Sequence, residues 1–196
     1  MNRAFDVIII GGGASGCSTA MQLSLQGRSV LVLDKAQFGS GSTGQAAGLG
    51  GQLRSNPSET RLLMEGIEVV RQMERKLNEK IFTKTGSLHV AATEDRAGEL
   101  RDFVESGKAI GFDIGLVDRE FAKSRLPCMR TDDLIEFCYC PTDGHFAPSE
   151  LLNGYIRIAR DAGATLLPQT PVEDILMEGG RVKGVQTADG SFFAPV

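Results

Sequence analysis

Three glycines and one aspartate carry the clearest chemistry in this chain. Gly11, Gly13 and Gly16 stand in the spacing G-x-G-x-x-G, and Asp34 follows 21 residues after Gly13. In that pattern the first glycine permits a tight turn. The second lets a pyrophosphate approach the backbone, and the third lets a helix pack closely on a strand. The N–H groups and dipole at the helix start favour phosphate. A carboxylate placed like Asp34 accepts bonds from a ribose. The set points to dinucleotide binding. The alternative is a glycine-rich strand–helix turn in an α/β protein that binds no nucleotide.

The elements that would position these residues can be read around them. Val7 to Ile10 is a continuous apolar run, the pattern of a parallel strand buried on both faces. A helix follows to about Gln26, with Cys17, Ala20, Met21 and Leu25 at helical spacing and Gly27 at its stop. Ser29 to Leu33 reads as the second strand, and Asp34 ends it. Residues 35–55 are glycine-rich with little periodicity, which predicts a loop that brings backbone close to something. A flexible linker fits that position poorly, directly after the ribose-binding carboxylate.

Other reactive residue types are sparse. Arg54 could pair a substrate carboxylate bidentately, or be a surface arginine at a helix approach. His145 follows a Thr-Asp-Gly turn and reads as a surface residue. His89 alternates outward on its strand and reads as solvated. Tyr139 and Tyr155 fit the edges of a strand and a helix core. No catalytic residue is assigned, and no Ser/His/Asp arrangement or spaced carboxylate pair supports hydrolysis. The four cysteines are Cys17, Cys128, Cys138 and Cys140. There is no C-x-x-C pair and no histidine pair at ligand spacing, so no metal is expected and the thiols read as buried small hydrophobes. Cys138 and Cys140 fall on one face of a strand.

The chain has 196 residues, 41% of them hydrophobic. That suffices for one sizeable core, or one domain plus part of another. The net charge is -4 and the pI about 5.3, with no basic patch for nucleic acid or an anionic membrane. The first apolar run is too short to span a bilayer and sits inside the nucleotide motif, so a cytoplasmic protein is expected.

Further along, Asn56 caps a helix opened by Pro57, with Glu59 reaching back, running to about Asn78 with Leu63, Ile67, Val70 and Leu77 on one face. Ser87 to Ala92 alternates as a half-buried strand with Leu88, Val90 and Ala92 on the inner side. Thr93 caps a helix with Leu100, Phe103, Val104 and Ile110 inward. Asp118 caps a short helix that stops before Pro127. Leu134 to Cys140 reads as a strand, Pro141 to Gly144 as a turn, and Ser149 as the opening of a helix ending at Gly163. Thr165 to Leu167 is a short strand. Val172 to Met177, Arg181 to Thr187 and Ser191 to Val196 form an antiparallel meander. An ending in mid-strand predicts an incomplete chain.

IIIGGGASG, LVLDK and GSTGQAAGLGGQLR resemble the FAD-dependent amine oxidoreductases of the D-amino-acid oxidase superfamily, most closely the dimethylglycine and sarcosine dehydrogenase group. That group carries a G-[ST]-T-W-H-A-A-G-L motif, which stands here as Gly41 to Leu49. TGSLHVAAT, LVDREFAKSRLPCM, YCPTDGHFAPSELL and GVQTADGSFFAPV extend the resemblance over essentially the whole chain. The glycine motif is shared by many flavoproteins, whereas the GSTGQAAGL loop is much more specific.

The resemblance implies an α/β fold: a Rossmann-like FAD-binding domain with an antiparallel β-meander and part of an interleaved substrate domain. Residues 1–80 and 147–196 would form the FAD-binding domain and residues 81–146 part of the substrate domain. Ala14 and Ser15 would sit at the pyrophosphate turn, beside Gly11, Gly13 and Gly16. Asp34 and Lys35 would hold the ribose. Ser42, Thr43, Gln45, Ala46, Ala47, Gly48 and Leu49 would form the loop that wraps the ribityl and isoalloxazine end. Val172 would offer backbone to the adenine. Members with covalent flavin have a histidine where this chain has Gln45, so the resemblance implies FAD held without a covalent bond.

The activity implied is oxidation of a small secondary or N-methylated amino acid, such as sarcosine or dimethylglycine, by hydride transfer to flavin N5 and then N-demethylation. The electron acceptor would be oxygen or an acceptor protein. A glycine or D-amino acid oxidase-like activity stays open. So does a non-catalytic flavin-binding fragment or subunit completed by a second chain. NAD in place of FAD is disfavoured by the loop.

Overall fold

The computed structural model describes residues 3–195. The chain runs β1 (Arg3–Ala4), β2 (Val7–Ile10), α1 (Ala14–Leu25), β3 (Val30–Leu33), β4 (Leu49–Gly50) and α2 (Pro57–Leu77). It continues through β5 (Phe82–Lys84), β6 (Ser87–Ala91), α3 (Glu94–Ala109), β7 (Gly115–Val117), α4 (Arg119–Arg125) and β8 (Glu136–Cys140). Last come β9 (Gly144–Phe146), α5 (Pro148–Asp161), β10 (Thr165–Leu167), β11 (Val172–Glu178), β12 (Arg181–Thr187) and β13 (Gly190–Phe193). These elements gather into two units. One comprises the chain up to Ala47 and from Ala147 onward, the other Gly48–Phe146.

In the first unit a parallel sheet has the order β10-β3-β2. All four residues of β3 are buried, so β3 is the central strand. The sequence reading had β2 covered on both faces. Val7 to Ile9 are instead half-buried and Ile10 is 56% exposed, and β2 is an edge strand of this sheet among the described residues. Helix α1 buries Cys17, Ala20, Met21 and Ser24, an i, i+3, i+4, i+7 face, and packs against α5. Leu25, expected on that face, lies at i+8 and is exposed. The meander adds a sheet in the order β1-β13-β12-β11. Leu31 and Leu33 meet Val185 and Phe192 in a shared core, with Phe5, Ile8, Leu167 and Val172 packed around it. Val196, expected in the last strand, lies outside the described residues.

The second unit holds two three-stranded antiparallel sheets, β4-β9-β5 and β6-β8-β7. Its core joins Leu53, Ala91, Leu100, Val104, Phe112, Ile114, Cys138 and Cys140. The caps read from sequence form: Asn56 Oδ1 accepts from Ser58 N at 2.9 Å, Thr93 Oγ1 from Arg96 N at 3.3 Å, and Asp118 Oδ1 from Phe121 N at 2.7 Å. The inner face of β6 is the opposite of the one expected. Ser87, His89 and Ala91 lie across from Cys140, Cys138 and Glu136, on the side of the core, and Ala92 is exposed. A two-residue period is satisfied by either face, and the buried thiols of β8 decide between them.

Candidate functional site

The glycine turn in the first unit is built by close approach. Gly11 has φ +109°, a conformation L side chains rarely adopt. A Cβ on Gly16 would overlap the Gly11 carbonyl oxygen, and one on Gly12 would enter the Phe38 ring. Asp34, at the end of β3, binds this turn directly. Its Oδ2 accepts from Gly12 N at 2.7 Å and its Oδ1 from Ala36 N at 2.9 Å. Each oxygen keeps a lone pair for a hydroxyl.

Thr43 closes the other side, its Oγ1 accepting from Ala14 N at 3.0 Å. The N-cap of α1 is Gly13, which offers no side-chain acceptor, and the first turn contains no acidic residue. Among the described residues no side chain accepts from the N–H of Ser15 or Gly16. The start of α1 therefore keeps donors for an anion. The donor set, the crowding at Gly16 and the two-lone-pair carboxylate fit a dinucleotide such as FAD.

Residues 41–46 coil into successive turns, with Gly44 N to Gly41 O at 3.1 Å, Gln45 N to Ser42 O at 3.3 Å and Ala46 N to Thr43 O at 3.3 Å. Gly39 N donates to Gly12 O at 3.1 Å, which ties the start of this loop to the glycine turn. Ser42, Gln45, Ala46 and Ala47 are exposed, as is Lys35. A concavity beside the loop is lined by Phe38, Thr43, Ala46, Ser149 and Leu152. Val172 opens β11 opposite Thr187, its side chain against the core. The structure thus brings Gly11, Gly13, Ala14, Ser15, Gly16, Asp34 and Thr43 together in the first unit.

Gly48, Leu49 and Arg54 belong to the second unit. Gly48 has φ +72°, and Leu49 is 82% exposed on β4. Arg54 is exposed. Its Nη1 donates to Leu53 O at 2.8 Å, and among the described residues no carboxylate pairs with it. Beneath this segment Gln52 is buried, its N donating to Asp143 Oδ1 at 3.0 Å and its Nε2 to Thr142 O at 3.0 Å. The sequence reading missed Gln52, Asp143 and Phe38. The signal for Asp143 was a carboxylate inside the Pro-Thr-Asp-Gly turn, where it can serve loop N–H groups.

His145 is exposed but sits on β9, facing Leu49 and Thr83 across the sheet, and not in a turn. His89 is half-buried and not solvated. It packs on Phe103 at 5.5 Å between ring centroids, and burial holds its imidazole below the usual range. Burial pushes the Cys17 and Cys138 thiols up to about 11 and Cys140 to about 12. Cys128 is exposed, against the expectation for all four thiols.

Residues 6–195 match the FAD dependent oxidoreductase family, DAO. The chain belongs to this family. It is 32% identical over 201 residues to human mitochondrial sarcosine dehydrogenase, covering 97% of the chain and 22% of that protein. It is also 32% identical to a subunit of the anaerobic glycerol-3-phosphate dehydrogenase of Haemophilus influenzae, covering 97% and 35%. The crystal structure of L-proline dehydrogenase from P. horikoshii superposes with a TM-score of 0.95 at 26% identity, over 100% of this chain and 52% of that one. This DAO-family chain therefore spans about a fifth to a third of those two curated relatives and half of the solved enzyme. FAD is the cofactor of the family, and the mixed α/β architecture with antiparallel sheets is the family's fold. No described helix is long and apolar enough to cross a membrane.

Proposed function

We propose that the protein binds FAD without a covalent bond and oxidises a small secondary or N-methylated amino acid of the sarcosine and dimethylglycine kind. The observation that carries this reading is the Ala14–Thr43 bond, which ties the phosphate turn to the specific GSTGQAAGL loop, beside the Gly12–Asp34 bond that ties the same turn to the ribose carboxylate. FAD, when bound, supplies the acceptor for a hydride from the carbon beside the amine nitrogen.

The chain's own residues bind and orient. The N–H groups of Ser15 and Gly16 would hold the pyrophosphate, and Asp34 would accept from the ribose, with Lys35 beside it in the chain. Ser42, Thr43, Gln45, Ala46, Ala47, Gly48 and Leu49 would hold the ribityl and ring end, and Val172 would offer backbone to the adenine. Gln45 has no imidazole to bond the ring, so retention rests on these contacts. Arg54, whose guanidinium has no carboxylate partner among the described residues, is assigned to the substrate carboxylate. Residues 1–80 and 147–196 are assigned to the FAD-binding domain and 81–146 to part of the substrate domain, although residues 48–80 pack within the same compact unit as 81–146.

The test is anaerobic bleaching of the flavin by a panel of sarcosine, dimethylglycine, glycine, D-alanine, L-proline and glycerol-3-phosphate. Bleaching fastest with the N-methylated amines is expected. Bleaching only by a primary amine or by glycerol-3-phosphate overturns the substrate class. Flavin that no substrate bleaches favours a non-catalytic flavin-binding subunit, and reoxidation by oxygen against a carrier protein assigns the acceptor.

A further inference from the structure

The second unit gathers three metal-ligating side chains of different chemistry. The ligand atoms of His89, Cys140 and Asp143 all lie within 4.8 Å of one another. Cys140 is fully buried, Asp143 is 3% exposed and His89 is half-buried. We propose that these three residues form a site for a zinc-class divalent cation that staples β6, β8 and the turn after β8.

The spacing has a physical logic. Cys140-Pro141-Thr142-Asp143 is a C-x-x-D turn, the chelate spacing of a C-x-x-C knuckle with a carboxylate in place of the second thiolate. Asp143 N donates back to Cys140 O at 3.4 Å, which folds both side chains to one side. Register supplies the third ligand. Ser87 pairs with Cys140 and His89 with Cys138, so His89 is the diagonal neighbour of Cys140 on the same face. The sequence has neither a C-x-x-C pair nor a histidine pair at ligand spacing, so no metal is expected from local pattern alone. The ligands here come from two strands and a turn.

Charge points the same way. Asp143 is a buried carboxylate, and among the described residues no lysine or arginine pairs with it. Its acceptors are used by Gln52 N at 3.0 Å, Gln52 Nε2 at 3.3 Å and Ser87 Oγ at 2.6 Å. Buried charges in proteins are paired or coordinate metals. Ser87 Oγ also lies 3.2 Å from His89 Nε2, so one hydroxyl touches two of the three ligands, Asp143 and His89, and is placed to orient them or to fill the fourth position.

An imidazole, a thiol and a carboxylate suit zinc, whereas magnesium and calcium take all-oxygen sets. Tetrahedral bonds of about 2.0–2.3 Å need the ligand atoms to draw in by about 1 Å, which the half-buried His89 ring can supply. Binding forms a metal–sulfur bond at Cys140 and releases the thiol proton to buffer.

The test uses the whole protein, treated with chelator and then titrated with Co²⁺, read as a difference spectrum against the same sample without metal. One Co²⁺ per chain is expected, with a thiolate-to-metal charge-transfer band that Zn²⁺ abolishes. The band should persist in Cys128→Ser and vanish in Cys140→Ser. Ser87→Ala should weaken binding by about 10-fold or more, as for other residues that orient ligands. No charge-transfer band in the wild type, or a band lost in Cys128→Ser, overturns the proposal. Those two spectra decide it even where Cys140→Ser fails to fold.

Discussion

Gly16→Ala is the sharpest perturbation of the phosphate turn. The added methyl overlaps the Gly11 carbonyl oxygen, with the Gly11 carbonyl carbon at 3.2 Å and Ile9 Cγ2 at 3.3 Å from it. The backbone cannot yield cheaply, because Gly11 N is held to Leu33 O at 2.7 Å and Gly12 N to Asp34. Helix α1 must therefore back away from β2. Overpacking of this kind costs about 1–3 kcal/mol. In a chain of this size each kcal/mol lowers the melting temperature by about 2–4 °C, so a drop of about 2–12 °C is expected.

The same shift displaces the N–H groups of Ser15 and Gly16, which are proposed to hold the pyrophosphate, so FAD retention should fall as well. Differential scanning calorimetry and FAD titration of the apoprotein read the two effects. Gly98→Ala is the control: it sits inside α3 with open space around its Cβ, and should hold or raise stability by about 0.5–1 kcal/mol. A Gly16→Ala protein with wild-type melting and wild-type FAD affinity would refute the close-approach reasoning.

Asp34→Ala strips the acceptor from Gly12 N and Ala36 N. Losing two bonds to a charged group should cost about 3–6 kcal/mol in urea unfolding and weaken FAD binding beyond the effect of Lys35→Ala. With iodoacetamide at mildly alkaline pH the folded protein should label at Cys128 only, read by peptide mass, because burial keeps the Cys17 and Cys138 thiols protonated. The Asp6 carboxyl is held below its usual range by bonds from the Ser29 backbone and hydroxyl. Its contribution is present above the unfolded value of 3.8 and lost as pH falls through the lower folded value, so Asp6→Asn should flatten the acid limb of a melting-temperature profile.

Much of the first unit was legible because its constraints are local. The turn, α1, β3 and Asp34 lie within one stretch of chain, and the helix spacing, glycines and carboxylate each demand the same geometry. The meander was legible through its Gly179-Gly180 and Asp189-Gly190 turns. Legibility failed where a distant partner decides. Strands β4, β5, β7 and β9 are two or three residues long and exist through pairing, so no periodicity marks them. The inner face of β6 is set by β8, almost fifty residues on, and the half-buried state of β2 with its exposed Ile10 is set by what covers it and not by its own apolar run. The Gln52–Asp143 bond spans 91 residues, beyond any local pattern. The same distance hid the His89, Cys140 and Asp143 cluster.

Non-covalent FAD is tested most directly by the visible absorbance of the purified, FAD-loaded protein before and after acid precipitation. The flavin spectrum should pass entirely into the supernatant, as Gln45 in place of a histidine requires. Flavin that stays in the pellet would mean a covalent bond through another residue, and a protein that takes up no FAD would contradict the assignment of the Gly11 to Gly16 turn and Asp34 to this cofactor.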